Sequence, residues 1–179
     1  MNEILQATER NSVVLVSKDD QEISVMDKLE AHQKGILHRA FSIFIFNNQG
    51  EMLLQQRADQ KYHGGGLWTN ACCSHPQKGE DLLQSAKNRL MFEMGLHCDI
   101  KKIFAFIYKA EVENNLIEHE FDHVFVGFTD VNPKPNSEEV KNFQWIQPGV
   151  LLQKIDSEPE LFTTWFKMVV ERVLNETKR

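Results

Sequence analysis

The chain has 179 residues, 41% hydrophobic and 26% charged, with a formal net charge of -6. That length allows one domain with a substantial core and is short for two, and the composition is that of an ordinary globular protein. The acidic balance excludes a general nucleic-acid binder, which needs a basic face, and no run approaches the roughly 20 apolar residues that span a bilayer.

The N-terminal stretch MNEILQATER lacks the basic and apolar regions of a signal peptide. The C-terminal NETKR carries no retention or peroxisomal tag, so the expected compartment is the cytoplasm. Three cysteines, two of them adjacent, cannot build a secreted-type disulfide framework.

In chain order, VVLVS (residues 13–17) predicts a strand and KDDQ a turn. Val25 to Gln33 predicts a short helix ending near Gly35. RAFSIFIF and EMLLQQR are two apolar runs split by the turn-forming NNQG, the signature of a hairpin. A long connection then covers residues 58–78, and long loops inside compact domains are often functional. Gly79 to Met94 reads as a helix: Leu82, Leu83, Ala86, Leu90 and Met94 form a stripe, Glu80 and Asp81 fall in the first turn, and Gly95 closes it. KIFAFIYKAEV and LIEHEFDHVFVGF are strand-like runs joined by ENN. PKPNSEE is a loop, FQWI a last strand, and Pro148 to Ile155 and Pro159 to Asn175 are helical. Antiparallel hairpins mingled with helices predict an α+β domain, a mixed sheet covered by helices, over the whole of residues 1–179.

Several residues stand out chemically. His32, His38 and His75 sit at element boundaries, and imidazole is the commonest metal-binding side chain, although a lone histidine is usually structural. Period-two geometry sends Glu118 and Glu120 of the EHE run to one face of a strand. On an edge strand they would be a solvated acidic face. In a low-dielectric cleft two such carboxylates repel unless a cation or a proton intervenes. Lys28, Arg57 and Lys61 read as solvated charge taken singly, and Arg89 as an ion pair with Glu93 one turn on. Trp165 falls on the apolar stripe of the last helix with Leu161 and Val169, a core position, and Tyr108 ends a strand as the polar tip of a core aromatic. Cys72 and Cys73 are adjacent, so in extended backbone they point to opposite sides. They cannot clip a zinc as CxxC does, nor form a thiol–disulfide exchange motif. One reactive thiol or two inert ones remain, and Cys98 has only a packing role.

WTNACCSHP (residues 68–76), the following GE, a helix carrying R-x-x-x-E-x-G and the strand motif EHE closely resemble type I isopentenyl-diphosphate isomerases. The likeness runs from about Lys28 to Trp165. These enzymes have the Nudix fold, and Ser74 to Leu96 resembles an altered Nudix box, G-x5-E-x7-R-E-U-x-E-E-x-G-U. Glu80 matches the first Glu, while Ser74 replaces the first Gly, Asn88-Arg89 replace Arg-Glu and Phe92-Glu93 replace Glu-Glu. Most of the hydrolytic carboxylate cluster is thus missing.

The resemblance implies a Nudix-type mixed β-sheet between helices. It implies a site for one divalent ion (Mn2+, Zn2+ or Mg2+) held by His32, His38, His75, Glu118 and Glu120. Glu93 and the Cys73 carbonyl would hold a second ion, Mg2+, on the substrate diphosphate. Lys28, Arg57, Lys61 and Arg89 are implied as its diphosphate-binding cations. Cys73 and Glu120 would exchange protons with opposite faces of the substrate carbon skeleton, Tyr108 would relay, and Trp165 would face the developing cation. The implied reaction turns isopentenyl diphosphate into dimethylallyl diphosphate in isoprenoid biosynthesis, with a small-molecule substrate and neither nucleic acid nor membrane as partner. A Nudix hydrolase of a nucleoside or prenyl diphosphate is the enzymatic alternative, and an inactive Nudix-fold binding module the non-enzymatic one.

Overall fold

A computed structural model describes residues 10–177; the outermost terminal residues, on which the targeting-signal expectations partly rest, lie outside the described residues. Strands β1 (Ser12–Val16) and β2 (Glu22–Asp27) form an antiparallel hairpin, followed by helix α1 (Lys28–Lys34). The predicted helix from Val25 therefore starts three residues late. Val25 and Met26 pair with Val14 and Val13 across the hairpin, and Asp27 caps the helix by accepting from the Glu30 amide. An aspartate cap supplies an acceptor for one of the unpaired N-terminal amides, which places the boundary after it.

β3 (His38–Phe46) is the organising strand. One edge is covered along its full length by parallel β8 (Leu116–Phe128), with His38 opposite Glu120 and Phe46 opposite Phe128. Its other edge is shared in turn by β1 at His38, by β6 (Cys72–Ser74) at Phe41 to Ile43, and by β4 (Met52–Arg57) at Phe46. The NNQG turn exists, but only Phe46 and Met52 pair across it. The expected hairpin then splays open. β4 turns away to pair with β9 (Val140–Ile146) on one side and β5 (Trp68–Asn70) on the other. Both runs are apolar on both faces, as befits strands with neighbours on each side and cover above and below. The divergence lets β6 insert beside β3, so the supposed loop at 58–78 contains two short strands.

Helix α2 (Leu82–Met94) covers one face of the sheet through Ala86, Leu90 and Met94, against Phe41, Ile43 and Ile45. Leu83 is exposed, off the expected stripe, and Asp81 caps the helix where a place inside its first turn was expected; Glu80 lies before it, paired to Arg10. The opposite face, through Phe44, Phe46, Val124 and Val126, packs under α4 (Thr164–Thr177), and Leu151 of α3 (Pro148–Ser157) joins the same core. The last predicted helix is interrupted: Pro159–Leu161 is a 3-10 turn, Phe162 is extended, Thr163 is outside any helix, and Leu161 is exposed. Thr163 donates its amide to Trp68 and its hydroxyl to Thr69, anchoring the start of α4 to β5. β7 (Ile100–Val112) pairs with β8 across the Glu113–Asn115 turn, which puts Tyr108 within the strand rather than at its end. Among the described residues no helix is long and apolar enough to cross a membrane.

Gly95 shows how tightly α2 is tied down. It ends the helix at φ 62, and a Cβ there would lie 2.5 Å from the Lys134 carbonyl oxygen. Gly95→Ala is expected to lower stability by about 1–3 kcal/mol through left-handed strain and this contact. Urea unfolding measures it, and an unchanged midpoint would contradict the account.

Candidate active site

The sheet face under α4 carries the chemistry at one end. On β8, Glu118, Glu120 and Asp122 share that face and are all buried. From β3 come His38 and Ser42, from β6 Cys73 and the adjoining His75, from α1 His32, and from α4 Trp165. The alternation expected for the cysteine pair is present. Cys72 is fully buried with the α2 core, while Cys73 packs on the other side and lines a cleft. That cleft encloses about 670 Å3 of space, part of it open to solvent. It is bordered by Cys73, His75, Tyr108, Glu118, Glu120 and Trp165, and equally by Lys28, Arg57, Lys61, Arg89 and Glu93. His32 and His38 lie beneath it, fully buried.

The histidines are arranged for ligation. His32 Nδ1 lies 2.6 Å from the Lys28 carbonyl and His38 Nδ1 2.8 Å from that of Ile36. A carbonyl only accepts, so each Nδ1 carries a proton, and in the neutral ring each Nε2 then keeps its lone pair, the pattern usual for metal-binding imidazoles. Both Nε2 atoms, and Glu118 Oε2, are buried without a hydrogen-bond partner among the described residues. Donor atoms of His32, His38, His75 and Glu120 lie within 4.8 Å of one another, as do those of His32, His63 and Glu118. Unpaired buried acceptors are costly, and a divalent cation among them satisfies all of them at once. The donor set therefore fits such an ion.

Electrostatics pull the members of the cluster in opposed directions. Burial takes His75 down to about 4 despite its contact with Glu120 at 2.8 Å. His32 runs the other way: burial disfavours its charge, but Glu118 at 3.3 Å raises its pKa. Burial would raise both glutamates, and Glu118 repels Glu120 as well. Even so, His32 and His63 hold Glu118 low, and His38 and His75 hold Glu120 low. Tyr108 donates to Glu120 Oε2 at 2.7 Å.

Burial pushes the Cys73 thiol up to about 12, with the Asp122 carboxyl adding to it. The thiol donates to Asn70 Oδ1 at 3.0 Å and sits 3.6 Å from Ser42 Oγ, which in turn donates to Asp122 at 2.8 Å. Asn70 is fixed by giving its amide to the Ile43 and Cys72 carbonyls. Trp165 lies in the core, as its stripe suggested, and also faces the cleft, with the Arg57 guanidinium 5.3 Å from its ring.

At the other end the four cations converge. Burial lowers the Lys28 pKa, and repulsion from Lys61 and Arg89 lowers it further. Cations gathered this way form an anion seat. Arg89 pairs with Glu93 at 2.6 Å, as the helix spacing suggested, but also approaches Glu139 at 3.5 Å, and Glu139 pairs with Lys61. Gln55 donates to the second oxygen of Glu93 at 3.1 Å.

Sequence reasoning passed over His63, Asn70, Asp122 and Glu139. Asn70 lay inside the quoted WTN run, and Asp122 continues the period-two series from Glu118, so both carried a readable signal. His63 and Glu139 belong to loops, where no periodicity points inward.

The NUDIX domain family matches residues 36–166. Solved structures agree on the fold. DR0079 from Deinococcus radiodurans superposes with a TM-score of 0.68 at 16% identity, covering 82% of this chain and 90% of that one. The MutT protein from Methanosarcina mazei Go1 gives 0.65 at 19% identity, covering 80% and 96%. The class is thus a NUDIX-domain protein built on a mixed sheet between helices. Curated relatives are nearer. The isopentenyl-diphosphate Delta-isomerase 2 of Photorhabdus laumondii subsp. laumondii is 50% identical over 88% of this chain and 89% of its own length. The isopentenyl-diphosphate Delta-isomerase of Pectobacterium atrosepticum is 47% identical over 90% of each. The chain belongs to the isopentenyl-diphosphate Delta-isomerase family of NUDIX-domain proteins.

Proposed function

We propose that this protein converts isopentenyl diphosphate to dimethylallyl diphosphate by a 1,3 proton transfer. One proton is added to the terminal alkene carbon and one is removed from the carbon two positions along, so the double bond moves and nothing else is consumed. The observation that carries this reading is the pairing of Cys73 and Glu120 in one cleft. Strands β6 and β8 hold them on opposite edges of β3. In the resting cleft the buried thiol keeps its proton and the carboxylate is ionised. One of the pair is thus suited to give a proton and the other to take one, as the reaction requires.

Each remaining residue has a task that fits its surroundings. Lys28, Arg57, Lys61 and Arg89 bind the diphosphate. Glu93, with the Cys73 carbonyl, would hold Mg2+ on it, since Mg2+ commonly binds through few carboxylates plus phosphate oxygens. His32, His38, His75, Glu118 and Glu120 would hold a second divalent ion (Mg2+, Mn2+ or Zn2+), suited to a mixed imidazole and carboxylate shell. That ion supplies a positive charge which offsets the two glutamates and sets the acidity of the Glu120 end. Tyr108, donating to Glu120, passes a proton to or from it. Trp165 offers a π face to the tertiary cation, an attraction of about 2 kcal/mol or more once water is excluded. Arg57 already rests against that ring. Asn70 holds the Cys73 thiol in place.

Hydrolysis is the weaker reading, because Arg89 and Phe92 stand where the Nudix box has carboxylates and Arg89 is engaged by Glu93. Incubation with isopentenyl diphosphate and Mg2+ in heavy water separates the two. The expected product is dimethylallyl diphosphate bearing deuterium. Release of phosphate or pyrophosphate, or unchanged substrate with every divalent ion tried, would overturn the proposal.

A further inference from the structure

His63 has no part in the reading above, yet it touches Glu118, Trp165, His32 and Arg57. It is 6% exposed, and its Nε2 lies 2.9 Å from Glu118 Oε1. Its ring meets Trp165 edge-on at 5.6 Å and stacks on His32 at 5.8 Å. Its carbonyl accepts from Arg57 Nη2 at 3.1 Å. The glycine run after it makes this approach feasible. Gly64 and Gly66 adopt φ of 58 and 77, and a Cβ on Gly65 would lie 2.6 Å from the Asp59 carbonyl oxygen. Only glycine allows so tight a loop, and the loop delivers the His63 ring into the cleft.

A carboxylate accepts and does not donate, so the proton shared with Glu118 Oε1 belongs to His63 Nε2. The other carboxylate oxygen, Oε2, faces His32 Nε2 at 3.3 Å, and neither atom has a hydrogen-bond partner among the described residues. We propose that His63 is a positioning residue for the ion: by holding Oε1, it keeps Oε2 turned toward His32 so that both lone pairs meet one cation. This rests on the reading of His32 and Glu118 as ligands. His63 is a partner to the ligands and not itself one. It falls outside the His32, His38, His75 and Glu120 group, and although its donor atoms also lie within 4.8 Å of those of His32 and Glu118, its Nε2 is committed to Glu118 Oε1 at 2.9 Å. Groups that orient a metal-binding carboxylate typically alter metal affinity ten- to a hundredfold when removed.

The test is calorimetric titration of Zn2+ into the metal-stripped full chain, for the wild type and for His63→Ala, His63→Gln and Glu118→Gln. His63→Ala is expected to bind Zn2+ about ten- to a hundredfold more weakly, and His63→Gln, which keeps an N–H donor, to stay within about threefold of wild type. KM for isopentenyl diphosphate at saturating metal is expected to be unchanged in both. Wild-type affinity in His63→Ala would overturn the role of His63 alone. If Glu118→Gln binds Zn2+ as the wild type does, the ligand assignment itself fails. A second measurement needs no variant: in nitrogen-15 histidine spectra of the Zn2+-loaded protein, His63 Nε2 is expected to remain protonated. Its deprotonation on loading would make His63 a ligand and overturn the positioning role.

Discussion

Replacing Cys73 with alanine is expected to lower kcat by roughly a hundred- to ten-thousandfold, the usual contribution of a positioned proton-transfer group. Diphosphate and metal binding are expected to survive, because the cations and the ligating side chains other than His75 are carried by other elements, and the substitution leaves the His75 side chain and the Cys73 carbonyl in place. Cys72→Ala is the matched control. Its side chain lies fully buried in the α2 core, so the change costs about 1 kcal/mol of packing and leaves substantial activity. Steady-state kinetics beside thermal unfolding distinguishes the two. If Cys72→Ala were the inactive variant and Cys73→Ala the active one, the assignment of the thiol would be reversed.

Metal removal is expected to be as damaging, and visible without substrate. Three buried acceptors have no hydrogen-bond partner among the described residues, and two glutamates share one strand face, offset by histidines and the Tyr108 hydroxyl. Exhaustive chelation is expected to abolish isomerisation. An ion present at a hundred times its dissociation constant stabilises the folded state by about 2.7 kcal/mol. For a domain of this size that corresponds to roughly 5–10 °C in Tm. Calorimetry of the stripped and reloaded protein measures the shift. Full turnover or an unmoved Tm after verified removal would contradict the site.

Much of this was legible in the chain, for identifiable reasons. Strict alternation in LIEHEFDHVFVGF placed Glu118 and Glu120 together, and adjacency alone put Cys72 and Cys73 on opposite faces. One correct turn signal misled on partners. NNQG does reverse the chain, but β3 and β4 pair at one residue because β6, β8 and β9 offer them longer contacts. Turn chemistry is local, whereas strand pairing is decided by the whole sheet. The last helix was read through Phe162 and Thr163 because its apolar spacing continues. The hydrogen bonds of Thr163 to Trp68 and Thr69, which end that continuity, come from a strand far back in the chain. His63 and Glu139 escaped for the same reason: their inward aim depends on tight loops and distant ion pairs.

The full-length parallel match of β3 to β8 also bears on how the protein reaches its working state. His38 and Glu120 meet only once these strands, separated by nearly half of the chain, have closed in register. Such long loops are slow to close, so the donor cage is absent from early collapsed forms that hold only local hairpins. On the proposed ligand set, capture of an ion would be a late event, and its rate of uptake during refolding would clock completion of the central sheet.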